Sequence, residues 1–351
     1  MNTRIHHIAI LLATAALLLT GCKKEHVLPR ASGRPYEILV VMKRGAWEAP
    51  EGRALYNVLD SDIPGLPQPE PSFHISQIDP SHYDQIANIF RNIIVVKIDP
   101  TLYSHTSLHF VRDQYALEQI IMTLTSPSAN DMADFCFDHG EEIVDFFTKM
   151  EMNRLVKNLQ GKYSKKVAEL AAEYFDCQLH APDEIQATKR CKDFFWASSN
   201  TASGNVNICM YAYPYEGPET FNKTYVLAKR DSFMRENIPG SLPEMYMATD
   251  TMYTAVQPII VHNQYAMETR GLWYMEHGAM GGPFVSHSRV DTTQNRVIVV
   301  EGFVFAPEKM KRGLMRRLEG SLYTLNLPDE KTSDIVTTLD EVTVGPEKDA
   351  H

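Results

Sequence analysis

Apolar residues fall into runs whose period changes along the chain. Tyr36 to Met42 (YEILVVM) and Ile93 to Ile98 (IIVVKI) are continuous apolar runs of strand length, as expected for strands buried on both faces. Ser72 to Ile78 alternates, and Leu108 to Tyr115 and Glu118 to Thr125 add two more strand-like runs. Between them Ala49-Pro50-Glu51 opens a helix through about Leu59, the Pro-rich stretch Ile63 to Pro71 reads as a loop, and Tyr83 to Phe90 has helical spacing. Ser126-Pro127-Ser128 caps a long helix to Gln160, with Gly140 expected to kink it. Gly161 separates it from a second helix, Tyr163 to Phe175, whose Val167, Leu170, Ala171 and Tyr174 share a face. From there the pattern is mostly sheet: Cys177 to His180, Asp193 to Ser199, Val206 to Tyr213, Met245 to Ala248, Ile259 to His262 onward, Arg270 to Glu276, Pro283 to Asp291 and Arg296 to Phe305. A helix from Phe221 to Asn237 intervenes, Asp291 to Arg296 supplies a hairpin loop, and Ala306-Pro307 opens a last helix with Met310, Leu314, Leu318, Leu322 and Leu325 in one stripe. The expected fold class is α+β in two domains. Residues 35–161 form an α/β-type sheet with a long helix, and residues 162–327 an antiparallel sheet sandwiched by helices.

The first 22 residues stand apart. A basic start (Arg4, His6, His7) precedes an apolar run from Ile8 to Leu19, shorter than the roughly 20 residues a spanning helix needs and typical of an export signal. The following Leu19-Thr20-Gly21-Cys22 resembles the bacterial lipobox. That resemblance implies a signal peptide over 1–21 and a triacylated Cys22, held in the bilayer at about 0.8 kcal/mol per buried methylene. Lys23 to Arg34 has no apolar periodicity, so residues 22–34 are expected to be a flexible tether with a reach on the order of 40 Å. Lys23, where an Asp would favour inner-membrane retention, implies by resemblance to sorting preferences the outer membrane, on either face.

Composition sets outer limits. With 351 residues, 44% of them apolar and 22% charged, the chain is globular and long enough for two domains. Its net charge of -10 excludes a nucleic-acid binder by bulk charge. Residues 328–351 hold seven acids (Asp329, Glu330, Asp334, Asp340, Glu341, Glu347, Asp349) against Lys331 and Lys348, so they are expected to be an acidic flexible tail. Cys177 and Cys191 bracket an expected hairpin and are the best pair for a disulfide in an oxidising compartment. Cys136 and Cys209 sit between apolar neighbours and read as buried thiols. No Cys/His spacing points to zinc, and no cofactor is expected.

The most unusual segment is His277-Gly-Ala-Met-Gly-Gly-Pro-Phe-Val-Ser-His287. Its glycines precede a strand, whereas a phosphate cradle needs them to open a helix, so the expectation is a bulged turn letting backbone pass close to Trp273 or a partner. The candidate loop residues are Trp273, Gly281, Gly282, Pro283 and His287. His262, His277 and His287 with Met275 and Met280 are a soft-metal set without fixed geometry, and no metal is assigned. Ser286-His287-Ser288 is not a nucleophile and base, because neighbours on a strand point to opposite faces. Asp138 to Glu142 with Asp145 is an acidic patch lacking EF-hand spacing, read as a solvated face. Lys309, Lys311, Arg312, Arg316 and Arg317 crowd the last helix opposite its leucine stripe and form the candidate binding face for anionic headgroups or a partner's carboxylates.

The stretch from Arg270 to Leu327, with the lipobox and the early strand-Trp47-helix segment, resembles an uncharacterised family of Bacteroidota lipoproteins, domain of unknown function 4837. The element order from Tyr163 to Leu327 is more distantly similar to the PsbP-like sandwich, a fold used mainly for binding. Neither resemblance implies an activity. The expected function is a non-catalytic, membrane-anchored lipoprotein that binds a protein or envelope component, such as an accessory subunit of outer-membrane assembly, secretion or transport. The alternatives are an envelope hydrolase or carbohydrate-active enzyme with dispersed residues, recognisable by a deep pocket with convergent carboxylates, and a small-ligand or lipid carrier with a closed apolar cavity.

Overall fold

The computed structural model describes residues 27–199, 204–328 and 330–335. Cys22, the expected signal segment and residues 336–351 lie outside the described residues. The N-terminal half contains β1 (Glu37–Val41), α1 (Arg44–Glu48), α2 (Pro50–Leu59), β2 (His74–Ile78), β3 (Asn92–Ile98), β4 (Ser107–Arg112), β5 (Ile120–Ser126) and α3 (Ala129–Gly161). The strands form one mixed sheet in the order β2-β1-β3-β5-β4, parallel except for β4 at the edge. The central strands read as continuous apolar runs because both faces are covered. Ile38 and Val40 pack beneath α2 and α3, while Leu39 and Val41 face Tyr83, Ala87 and Phe90.

Those last residues lie in or just after two short 3-10 turns, Pro80–His82 and Ala87–Ile89, where a helix over 83–90 was expected. Asp79 accepts from the Ser81 N–H and Asp84 from Ile86 and Ala87, so local side-chain bonds compete with a continuous helix. Ser128 caps α3 by accepting from the Asp131 N–H. Gly140 marks a close crossing: a Cβ there would stand 2.7 Å from Val58 on α2. At 33 residues α3 is about 50 Å long and outruns its own sheet. Its last turns bring Met152 and Val156 against Val261, Ala266 and Tyr323 of the second half.

That half contains α4 (Lys165–Phe175), β6 (Ala187–Cys191), β7 (Phe194–Ser198), β8 (Asn205–Pro214), α5 (Lys223–Asn237), β9 (Met247–Val261), β10 (Gln264–Met275), β11 (Gly281–Asp291), β12 (Arg296–Phe305) and α6 (Arg312–Leu322). The seven strands make an antiparallel sheet in the order β6-β7-β8-β12-β11-β10-β9. Helices α4 and α6 cover one face through Val167, Leu170, Met315 and Leu318, and α5 covers the other through Met234. The chain is therefore α+β, with a mixed sheet followed by an antiparallel sheet sandwiched by helices.

Some boundaries differ from the sequence reading. The segments expected at 245–248 and from 259 are the two ends of β9, one 15-residue strand whose polar middle hid its continuity. Its pairing shifts between Ala255–Arg270 and Asp250–Leu272, so residues 251–254 bulge outward and expose Met252 and Tyr253. Residues 177–180 contribute only a bridge from Gln178 to Asn326. Helix α6 starts at Arg312, after a turn with Glu308 at φ +59°. Part of the expected tether is held, since Ala31 and Ser32 donate to the carbonyls of Leu117 and Ile89. The start of the expected tail is held too: Glu330 pairs with Arg289, and Asn153 of α3 bonds both the N–H and the carbonyl of the buried Ile335.

The disulfide expectation fails on geometry. Cys177 packs in the core on the α4–α6 side of the sheet and Cys191 against the core on the α5 side, and both are free thiols. Alternation along the strand, not distance along the chain, sets which side a residue joins.

Candidate functional site

Because α3 overshoots its sheet, a gap opens between it, the end of α2 and the β9–β10 hairpin. This interdomain cleft has a volume of about 1370 Å³. Its floor is charged. Glu268 and Arg270 are two apart on β10 and so share a face, and Arg316 and Glu319 are one turn apart on α6. Arg270 donates to both oxygens of Glu268, at 3.2 and 3.1 Å, and through the same Nη2 to Glu319. Arg316 donates to the other Glu319 oxygen at 3.2 Å, and Gln257 on β9 donates to Glu268 at 3.1 Å.

Behind Glu268 lies His287, fully buried, with Nε2 3.7 Å from the carboxylate and the ring edge-on to Tyr323. Neither ring nitrogen has a hydrogen-bond partner. Burial pushes the Glu268 carboxyl up, but Arg270 and His287 outweigh it and hold the group well below the usual carboxylate range. Burial opposes the charge on Arg270, and Glu268 and Glu319 overcome that and raise it. The Tyr323 phenol, buried and beside both carboxylates, is pushed far above its ordinary value. Two carboxylates thus converge on the floor with the Arg270 guanidinium between them.

The walls differ from the floor. Asp134, Glu141 and Asp145 of α3 line one side and Asp62 stands near the end of α2. Lys149 pairs with Asp145 at 2.9 Å. Asp62, Asp134 and Glu141 have no ion pair among the described residues. At the mouth Phe137 is 89% exposed and Ile260 57% exposed, an apolar rim above a charged interior.

The basic residues of the last helix do not form one exposed face. Lys311, Arg312 and Arg316 are buried in the seam between domains, and only Lys309 and Arg317 reach solvent, with Arg317 paired to Glu184. Helix α6 starts on a carboxylate of the other domain: Glu70 accepts from the Lys311 N–H at 2.7 Å and the Arg312 N–H at 2.8 Å. Arg312 also donates to the Pro71 carbonyl and meets His74. The side opposite the leucine stripe is a domain contact, which periodicity cannot separate from a solvated face.

The candidate loop is internal. Trp273 is buried and donates to the Val304 carbonyl at 3.3 Å; Gly282 lies so close that a Cβ would fall 2.0 Å from that oxygen and 3.2 Å from the indole nitrogen. Gly281 and Pro283 continue β11 opposite Tyr274 and Leu272. Of this segment, His287 sits behind the cleft residue Glu268 without lining the cleft itself. His277 is exposed at the hairpin tip, and among the described residues no group of three or more His, Cys, Asp or Glu is placed to hold a metal. The sequence reading missed Glu268, Arg270 and Glu319. Their signal was an acid and a base two apart on the inward face of an interior strand, where unpaired charge is costly.

Two models of protein families match adjoining parts of the chain: a domain of unknown function, DUF8532, over residues 31–160, and a second, DUF4837, over residues 164–324. No curated protein matches. A crystal structure of a protein from Bacteroides thetaiotaomicron VPI-5482 matches at 12% identity over 43% of this chain and 44% of that one, less than half its length, with a TM-score of 0.23.

Proposed function

We propose from the cleft a non-catalytic, lipid-anchored binding protein, in a chain whose residues 31–160 match DUF8532 and whose residues 164–324 match DUF4837, both domains of unknown function. It engages an envelope protein, as an accessory subunit of outer-membrane assembly, secretion or transport would. One observation carries this reading: both carboxylates on the cleft floor are claimed by Arg270, and Arg316 shares Glu319, so the buried charges are spent on one another and the carboxylates without an ion pair among the described residues, Asp62, Asp134 and Glu141, stand on the walls where a partner can meet them. Among the described residues no helix is long and apolar enough to cross a membrane, which is compatible with attachment through Cys22. A lipid carrier would have a closed apolar cavity, whereas this cleft is open and lined with carboxylates.

The test is photo-crosslinking from Phe137 in native membranes. A reproducible stoichiometric partner supports the reading. No partner, together with turnover of cell-wall or glycan substrates that is lost in Glu268→Gln, overturns it in favour of an envelope hydrolase.

A further inference from the structure

Building on the reading of the cleft as a binding site, we infer that its occupant is an extended basic polypeptide segment, aligned along β9 with Lys or Arg side chains toward α3. Three independent features of the cleft select this chemistry.

The first is charge. Asp134, Asp138, Glu141 and Asp145 follow one another at spacings of four, three and four residues, a single acidic stripe along α3. Like charges so spaced cost the helix roughly 0.2–0.5 kcal/mol per pair. Lys149 answers only Asp145, and both floor guanidinia are already paired to Glu268 and Glu319. A cationic ligand relieves a repulsion that the fold leaves in place.

The second is the edge of β9. The turn His262-Asn263, with φ of +52° and +60°, closes the hairpin at the pair Val261–Gln264. In a two-residue hairpin that closing pair is hydrogen-bonded, so alternation points the backbone groups of Ile260, Pro258 and Val256 away from β10. Pro258 falls in this outward set, where its missing N–H costs no ladder bond. The outward N–H groups of Val256 and Ile260 and the three outward carbonyls have no backbone partner among the described residues. Pro258 and Ile260 line the cleft, so an extended chain lying there meets a ready set of backbone partners.

The third is an unclaimed donor inside. Arg316, only 6% exposed and lining the floor, gives one N–H to Glu319 and leaves its Nε–H without an acceptor; Thr148 Oγ1 on the α3 wall is likewise unpartnered. A buried guanidinium N–H without a partner is costly and wants an oxygen. A peptide supplies carbonyl oxygens at the same spacing as its cationic side chains. The cleft volume of about 1370 Å³ also exceeds the ~300–1,000 Å³ usual for small-molecule pockets.

The test uses the full chain and two labelled ten-residue probes, one alternating Lys with Thr and one alternating Glu with Thr, read by fluorescence anisotropy. The Lys probe is expected to bind more tightly, and more weakly as salt is added. The double variant Asp134→Asn/Glu141→Gln should weaken it about three- to tenfold, the loss of two partly exposed ion pairs. Ile260→Pro, which removes an outward N–H and no β9–β10 bond, should weaken it as well while circular dichroism stays unchanged. Equal binding of the two probes, or no effect of the Asp134→Asn/Glu141→Gln change, overturns the inference. A partner crosslinked from Phe137 through an acidic segment overturns it too while leaving the binding function standing; no binding of either probe and no captured partner, together with substrate turnover that is lost in Glu268→Gln, overturns both.

Discussion

Arg230 is 1% exposed, and every polar contact it makes is specified. It grips both oxygens of Glu301, at 2.9 and 2.7 Å, donates to Thr249 at 2.6 Å, and lies 3.7 Å over the Phe284 ring. Arg230→Met should cost about 3–5 kcal/mol because it strands Glu301, fully buried, without a counter-charge. Arg230→Met/Glu301→Leu should recover much of that in urea unfolding. A single variant as stable as the parent would show that Glu301 is neutral or solvated, against the geometry. Thiols give a second check. Burial pushes Cys136 and Cys177 up to about 12 and raises Cys209 well above its ordinary value, whereas Cys191 is half-buried at the end of β6. Native alkylation should therefore mark Cys191 first and leave the other three until denaturant is added. Protection of Cys191 that disappears only on reduction would restore the disulfide expectation.

Helix α6 has no side-chain N-cap of its own. Glu70, 3% exposed and 241 residues earlier, closes its first turn across the domain seam, satisfying two orphan N–H groups and meeting the positive end of the helix dipole. One side chain thus joins a loop that looks featureless to a helix that looks uncapped. Glu70→Gln keeps one acceptor and removes the charge, and should cost roughly 1–2 kcal/mol. Faster amide exchange at the start of α6 is the expected readout, with the β8–β12 ladder unchanged. Exchange that rises equally in both would mean that Glu70 supports the whole fold and not the helix end.

Three histidines sit at contacts between segments of the molecule, one of them across the seam. His180 stacks on Tyr163, His262 accepts from the Ser333 N–H in the terminal segment, and His74 meets Arg312 in the seam. Burial lowers all three, with the Arg312 charge adding to it at His74. A histidine with a depressed folded pKa binds its proton first in the unfolded chain. Its contribution is fully present above the unfolded value of about 6.5 and is lost as pH falls below it. The urea midpoint should therefore drop between about pH 7.5 and about pH 5.5, and His74→Gln should reduce the drop. A midpoint that rises over this range would contradict the lowered values.

Patterning alone conveyed a great deal. Period-two and period-3.6 segments located the buried strands β1 and β3, the long α3, and the antiparallel run from β8 to β12, because each has a face that must leave water whatever it packs on. Patterning failed where local chemistry or another element decides. The Asp79 and Asp84 turns displaced a helix, and the polar middle of β9 concealed one strand as two. The face of α6 opposite the leucines read as an exposed binding face because a salt-bridged interior and a wet exterior use the same residues. The cleft was out of reach for the same reason: Glu268, Arg270, Arg316 and Glu319 are 51 residues apart at the extremes, the packing of α6 against the second sheet brings them to one floor, and the docking of α3 supplies the facing wall. Segments that bury their own apolar face are specified locally. A site made from the meeting of two domains exists only once the chain has closed on itself.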